Sequence, residues 1–85
     1  MIFEKENTVE FSAVDDTDAE NREILSEVYD ALSEKGYDPI NQIVGYIVTQ
    51  DPTYITNHKN ARSLITKMDR DELLAALIAS YIEKN

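Results

Sequence analysis

No cysteine and no tryptophan occur in this chain, and glycine and proline occur only twice each. Without cysteine there is no disulfide and no thiolate zinc site to staple a short domain. With only Gly36 and Gly45, no glycine-rich loop can cradle a phosphate. No long apolar run is present, so no membrane-spanning helix is expected. The N-terminus lacks the basic and apolar regions of a secretory leader, and a cytoplasmic protein is the expectation. Basic residues are also scarce: 8 Lys and Arg stand against 17 Asp and Glu, a formal charge of -9. That balance opposes general nucleic-acid binding and binding to anionic membranes, both of which need a net basic face.

What is present is one domain's worth of chain, 85 residues, with its charge unevenly spread. Residues 1–23 carry Glu4, Glu6, Glu10, Asp15, Asp16, Asp18, Glu20 and Glu23 against Lys5 and Arg22. Residues 58–70 carry His58, Lys59, Arg62, Lys67 and Arg70 against Asp69 alone. Residues 1–16 show no helical period. The alternation Val9, Phe11, Ala13 hints at an extended piece around Thr8 to Phe11 inside a disordered acidic arm.

From Thr17 the pattern turns helical. Thr17-Asp18-Ala19-Glu20 reads as a capping box, followed by an apolar stripe of Ile24, Leu25, Val28, Tyr29 and Leu32. Gly36 closes that helix. Asp38-Pro39 opens the next, with Ile40, Ile43, Val44, Ile47 and Val48 as its inward face and Tyr46 off the stripe. Gly45 in mid-helix signals either close approach of another backbone or simple tolerance, at a cost of about 1 kcal/mol relative to alanine. Asp51-Pro52 repeats the cap-then-proline device for a short turn through Tyr54 and Ile55. A third helix is expected from His58, with Ala61, Leu64, Ile65 and Met68 inward. Asp69-Arg70-Asp71-Glu72 caps a fourth, with Leu73, Leu74, Leu77, Ile78, Tyr81 and Ile82 inward. The expected fold is all-α: a small bundle of about four helices plus a short turn over residues 17–85, with residues 1–16 as a flexible arm.

Chemistry is thinly supported. His58 is the single histidine, and Ser63 nearby carries no sign of activation, so no catalytic residue is assigned. The acids at 15, 16, 18 and 20 superficially suggest a calcium loop but lack its mid-loop glycine, so no metal or cofactor is expected. His58 and Arg62 lie four apart and would share a helix face beside Lys59. This is a candidate surface for docking a phosphate or a partner, or an ordinary set of solvated bases.

The run Glu34-Lys35-Gly36-Tyr37-Asp38-Pro39-Ile40-Asn41-Gln42-Ile43-Val44-Gly45-Tyr46 carries a further message. So do Asp51-Pro52-Thr53-Tyr54-Ile55, His58-Lys59-Asn60-Ala61-Arg62 and Arg70-Asp71-Glu72-Leu73. Together, from about Thr8 to Tyr81, they resemble the IreB family of small regulatory phosphoproteins. The resemblance implies a non-enzymatic homodimer. It would be phosphorylated on a threonine of its arm by a transmembrane Ser/Thr kinase with outer PASTA repeats, reversed by a cognate phosphatase, and tied to envelope stress. Asn7-Thr8-Val9-Glu10-Phe11 resembles the family's Thr-Val-x-Phe segment, which makes Thr8 the implied site. Some relatives carry a second threonine slightly earlier; here Phe3-Glu4-Lys5-Glu6 offers no hydroxyl. A constitutive adaptor whose arm only aids solubility, and a nucleic-acid binder using helix three, stay open beside it. Tyr54 and Ile55 read either as a fastening of the turn to the core or as a recognition surface.

Overall fold

In a computed structural model the backbone is described for residues 4–84 and the side chains for residues 17–83. Helix α1 spans Glu4–Glu34, α2 Pro39–Thr49, α3 Ala61–Ile65 and α4 Arg70–Lys84. Two single 3-10 turns, Pro52–Tyr54 and His58–Asn60, link α2 to α3. No strand occurs among the described residues. None of the helices among them is long and apolar enough to cross a membrane.

The punctuation read from the sequence holds at four points. Gly36 sits at φ 84, donates to the Ser33 carbonyl at 3.0 Å, and lets Tyr37 donate to the Leu32 carbonyl at 3.0 Å. This paired pattern closes α1 and needs the left-handed backbone that glycine adopts without a Cβ penalty. Asp38 accepts from the Asn41 amide at 3.3 Å, and Pro39 fills the first helical position of α2. Asp51 accepts from the Thr53 amide at 3.0 Å and from its hydroxyl at 2.7 Å. Asp69 accepts from the Glu72 amide at 3.1 Å and opens α4.

Two boundaries differ from expectation. Helix α1 begins at Glu4, so Thr17 is an interior residue and not a cap, and the backbone around Thr8 to Phe11 is helical where an extended piece was expected. Glu4, Lys5, Glu6 and Glu10 favour the helix intrinsically, and the alternation of Val9, Phe11 and Ala13 does not override them. The third helix does not start at His58. Lys59 (φ 55) and Asn60 (φ 62) are both left-handed, which breaks the helix there and leaves α3 only Ala61–Ile65. Asn60 is of a residue type that tolerates the left-handed conformation better than most other side-chain-bearing residues.

The core is made by Val28, Ala31 and Leu32 of α1, Ile43 and Tyr46 of α2, Ile55, Ala61, Ile65, Met68 and Leu73. Ile55, between the two 3-10 turns, is fully buried, so it fastens that linker to the core. Helix α2 is rotated relative to the expected stripe. Tyr46 is inside, while Ile40, Val44 and Val48 are 58%, 50% and 75% exposed. In α4, Leu73 alone is buried and Leu74 half-buried; Leu77, Ile78, Tyr81 and Ile82, expected inward, are exposed, as is Tyr29 of α1. Among the described residues, ten large apolar side chains stay outside the core.

Two polar ties hold the frame. Asn21 is 3% exposed; its Nδ2 donates to the Asp69 carbonyl and its Oδ1 accepts from the Asp69 amide, both at 3.0 Å. Arg70 Nη1 donates to the Ile47 carbonyl at 3.1 Å and so joins α4 to the end of α2. Gly45 earns its place through Tyr54: a Cβ there would stand 2.5 Å from Cδ1 and Cε1 of the Tyr54 ring. The close neighbour is thus a side chain and not another backbone.

Candidate functional site

The end of α1 brings Glu34 against the turn His58–Asn60. His58 Nε2 donates to Glu34 Oε1 at 2.8 Å, and Lys59 Nζ donates to Glu34 Oε2 at 3.2 Å. A carboxylate only accepts, so Nε2 of His58 carries the hydrogen in this contact. Each oxygen of one carboxylate is taken by a different base. The His58 hydrogen bond, then that of Lys59, holds the Glu34 carboxyl below its ordinary value. The trio is solvent-accessible, with Glu34 and Lys59 exposed and His58 half-buried, so the attraction is screened and easily exchanged.

The backbone makes this convergence. Left-handed Lys59 is an uncommon state for a residue with a Cβ, costing about 1–2 kcal/mol. It is supported by the Asn60 amide donating to the Asn57 carbonyl at 3.0 Å and the His58 amide donating to Thr56 Oγ1 at 3.2 Å. The same break separates Arg62 from the other two. Arg62 begins no shared face with His58; its Nε donates to the Ile55 carbonyl at 2.8 Å, and its charge helps hold down the Asp51 carboxyl behind the Thr53 hydrogen bonds. Of the three bases singled out from the sequence, the fold therefore joins His58 and Lys59 and turns Arg62 toward the preceding linker. Glu34, which completes the cluster, was not singled out. In the sequence it appears only at the head of the run Glu34-Lys35-Gly36-Tyr37, where the first helix ends.

Thr8 lies on the backbone of α1, and its side chain is outside the described residues. Along a continuous helix its Cα is about 39 Å from that of Glu34. A phosphate on Thr8 reaches His58 and Lys59 only if the first turns of α1 open, or if it comes from a second subunit.

On another side, Leu25 and Tyr29 of α1, Ile40, Val44 and Ile47 of α2, and Leu77 of α4 border an open apolar groove of about 300 Å³. Val48, Ile78 and Ile82 are further exposed apolar side chains on α2 and α4. Among the described residues no group of three or more His, Cys, Asp or Glu side chains is placed to hold a metal ion.

Among the described residues the domain is all-helical, with exposed apolar side chains on α2 and α4 and a basic pair held by one carboxylate. The chain matches the family described as IreB regulatory phosphoprotein over residues 6–83, and it belongs to that family.

Proposed function

We propose that this protein is a cytoplasmic phosphorylation switch in envelope-stress signalling, and not an enzyme. A PASTA-type transmembrane Ser/Thr kinase phosphorylates Thr8 within the arm formed by residues 1–16, a cognate phosphatase reverses it, and the domain over residues 17–85 acts on a downstream protein. The observation that carries the reading is the paired grip of His58 and Lys59 on the two oxygens of Glu34. A phosphothreonine brings a charge of about -1.5 to -2 and three acceptor oxygens, against one charge and two oxygens for a carboxylate. It competes with Glu34 for the same donors. Among the described side chains of α1, Asn21 is the first that is buried.

In the same proposal, two copies associate through the face bearing Tyr29, Ile40, Val44 and Leu77, which supplies an apolar patch of the kind that partners cover. Docking of the phosphorylated arm would then run from one subunit to the other without opening α1.

The test is intact-mass and peptide mass spectrometry on the protein from its native cell, with and without a cell-wall stress. One phosphoryl group mapped to Thr8 and changing with stress supports the switch. An unmodified chain in both states refutes it. The constitutive-adaptor reading then stands instead, favoured by an apolar face that does not depend on the arm; Thr8→Ala would leave the cellular effect intact.

A further inference from the structure

A second groove runs between α1 and α3, away from the apolar face. Two adjoining hollows, about 270 and 260 Å³, share Glu27 and Leu64 and so form one trough. Its floor is apolar: Ile24 and Leu64 are half-buried, and Ala31 and Ala61 are small and buried. One wall is a file of carboxylates at Glu20, Glu23, Glu27, Asp30 and Glu34, alternately three and four apart, which keeps them on one helix face. Glu34 is engaged by His58 and Lys59. The other four make no ion pair with any described residue.

We infer that this trough is a docking site for a basic amphipathic helix of a partner protein. Apolar side chains of that helix lie on Ile24 and Leu64, and its lysines or arginines, at three- and four-residue spacing, face Glu20, Glu23, Glu27 and Asp30. Charge complementarity selects this occupant. The carboxylates are strung along a helix and do not converge, so a single metal ion gains at most one or two of them. A nucleic acid meets like charge. A second copy is also disfavoured. Its basic segment offers Lys59 and Lys67, which border its own trough, while Arg62 and Arg70 are bonded to the carbonyls of Ile55 and Ile47. The net charge of -9 adds long-range attraction for such a partner. This inference stands whether or not Thr8 is phosphorylated.

The test uses the full chain and three fluorescent probes. One is a helical peptide of lysine, leucine and alanine with a leucine stripe flanked by lysines; the second has the same composition shuffled to erase the stripe; the third is spermine. The striped peptide is expected to bind, with NMR shifts centred on Ile24, Glu27, Ala61 and Leu64. Glu23→Gln with Glu27→Gln should weaken it about fivefold, the loss of two exposed ion pairs. Asp71→Asn with Glu83→Gln, an equal charge change on α4, should alter it less than twofold. The inference fails if the striped peptide does not bind, if the shuffled peptide or spermine binds as tightly, if the shifts fall on the α2–α4 apolar face, or if both double variants weaken binding equally.

Discussion

Replacing Gly45 with alanine should destabilise this protein even though alanine is the better helix former. In an exposed helix the change gains about 1 kcal/mol. Here the new Cβ would sit 2.5 Å from two ring atoms of Tyr54 and 3.1 Å from a third. Tyr54 is 39% exposed, so its ring can swing outward, and that is the relief available. Swinging out gives up about 100 Å² of buried aromatic surface, worth about 2.5 kcal/mol. Relaxation recovers part of that, so Gly45→Ala should cost about 1 kcal/mol net. Tyr54→Ala removes the obstacle, and in that background Gly45→Ala should stabilise by about 1 kcal/mol. The sign of the glycine substitution thus reverses with the residue at 54, and a double-mutant cycle should show a coupling of about 2 kcal/mol. Urea unfolding of the four proteins, followed by far-UV circular dichroism, reads this directly. If Gly45→Ala stabilises equally in both backgrounds, the close packing of Tyr54 on α2 is not a feature of the fold.

Asn21→Ala should cost about 2 kcal/mol in the same assay, about 1 for each of the two hydrogen bonds it removes from the Asp69 backbone, whereas Asn21→Asp restores only the acceptor and recovers only part. Glu34 has a folded pKa below its ordinary 4.5, so the unfolded state binds more protons between the two values and stability rises with pH there. That contribution is complete above 4.5 and is lost as pH falls through the lower folded value. Asp51 acts in the same sense below 3.8, and Glu34→Gln should flatten the upper part of an acid-unfolding curve. Val44→Asp, on the exposed apolar face, should leave the monomer folded and reduce self-association in sedimentation-velocity runs.

The glycine turn at Gly36 and the aspartate caps at 38, 51 and 69 were legible beforehand, being local devices that act within four residues, whereas the cap read at Thr17 lies inside α1. The facing of α2 was not. Periodicity marks which residues are apolar, and Ile40, Val44 and Val48 are as apolar as Ile43 and Ile47. Tyr46 joins the core cluster with Val28, Leu32 and Ile55, a tertiary choice that no count along the chain shows. The site was half legible. His58 and Lys59 stood out by charge. Their meeting on Glu34 depends on two left-handed residues in a row, which moved Arg62 away from them. Asn60 was a sequence cue to that turn.

The central claim is an exchange: phosphate on Thr8 takes the place of the Glu34 carboxylate on His58 and Lys59. Its most direct test is NMR of the full chain, unphosphorylated and phosphorylated at Thr8, following the His58 ring, the Lys59 ammonium and the Glu34 carboxyl carbon across pH. The account predicts that phosphorylation shifts the His58 and Lys59 signals and lets the Glu34 carboxyl titrate nearer its ordinary value of 4.5. Unchanged signals at all three groups, in a fully phosphorylated sample, would contradict it.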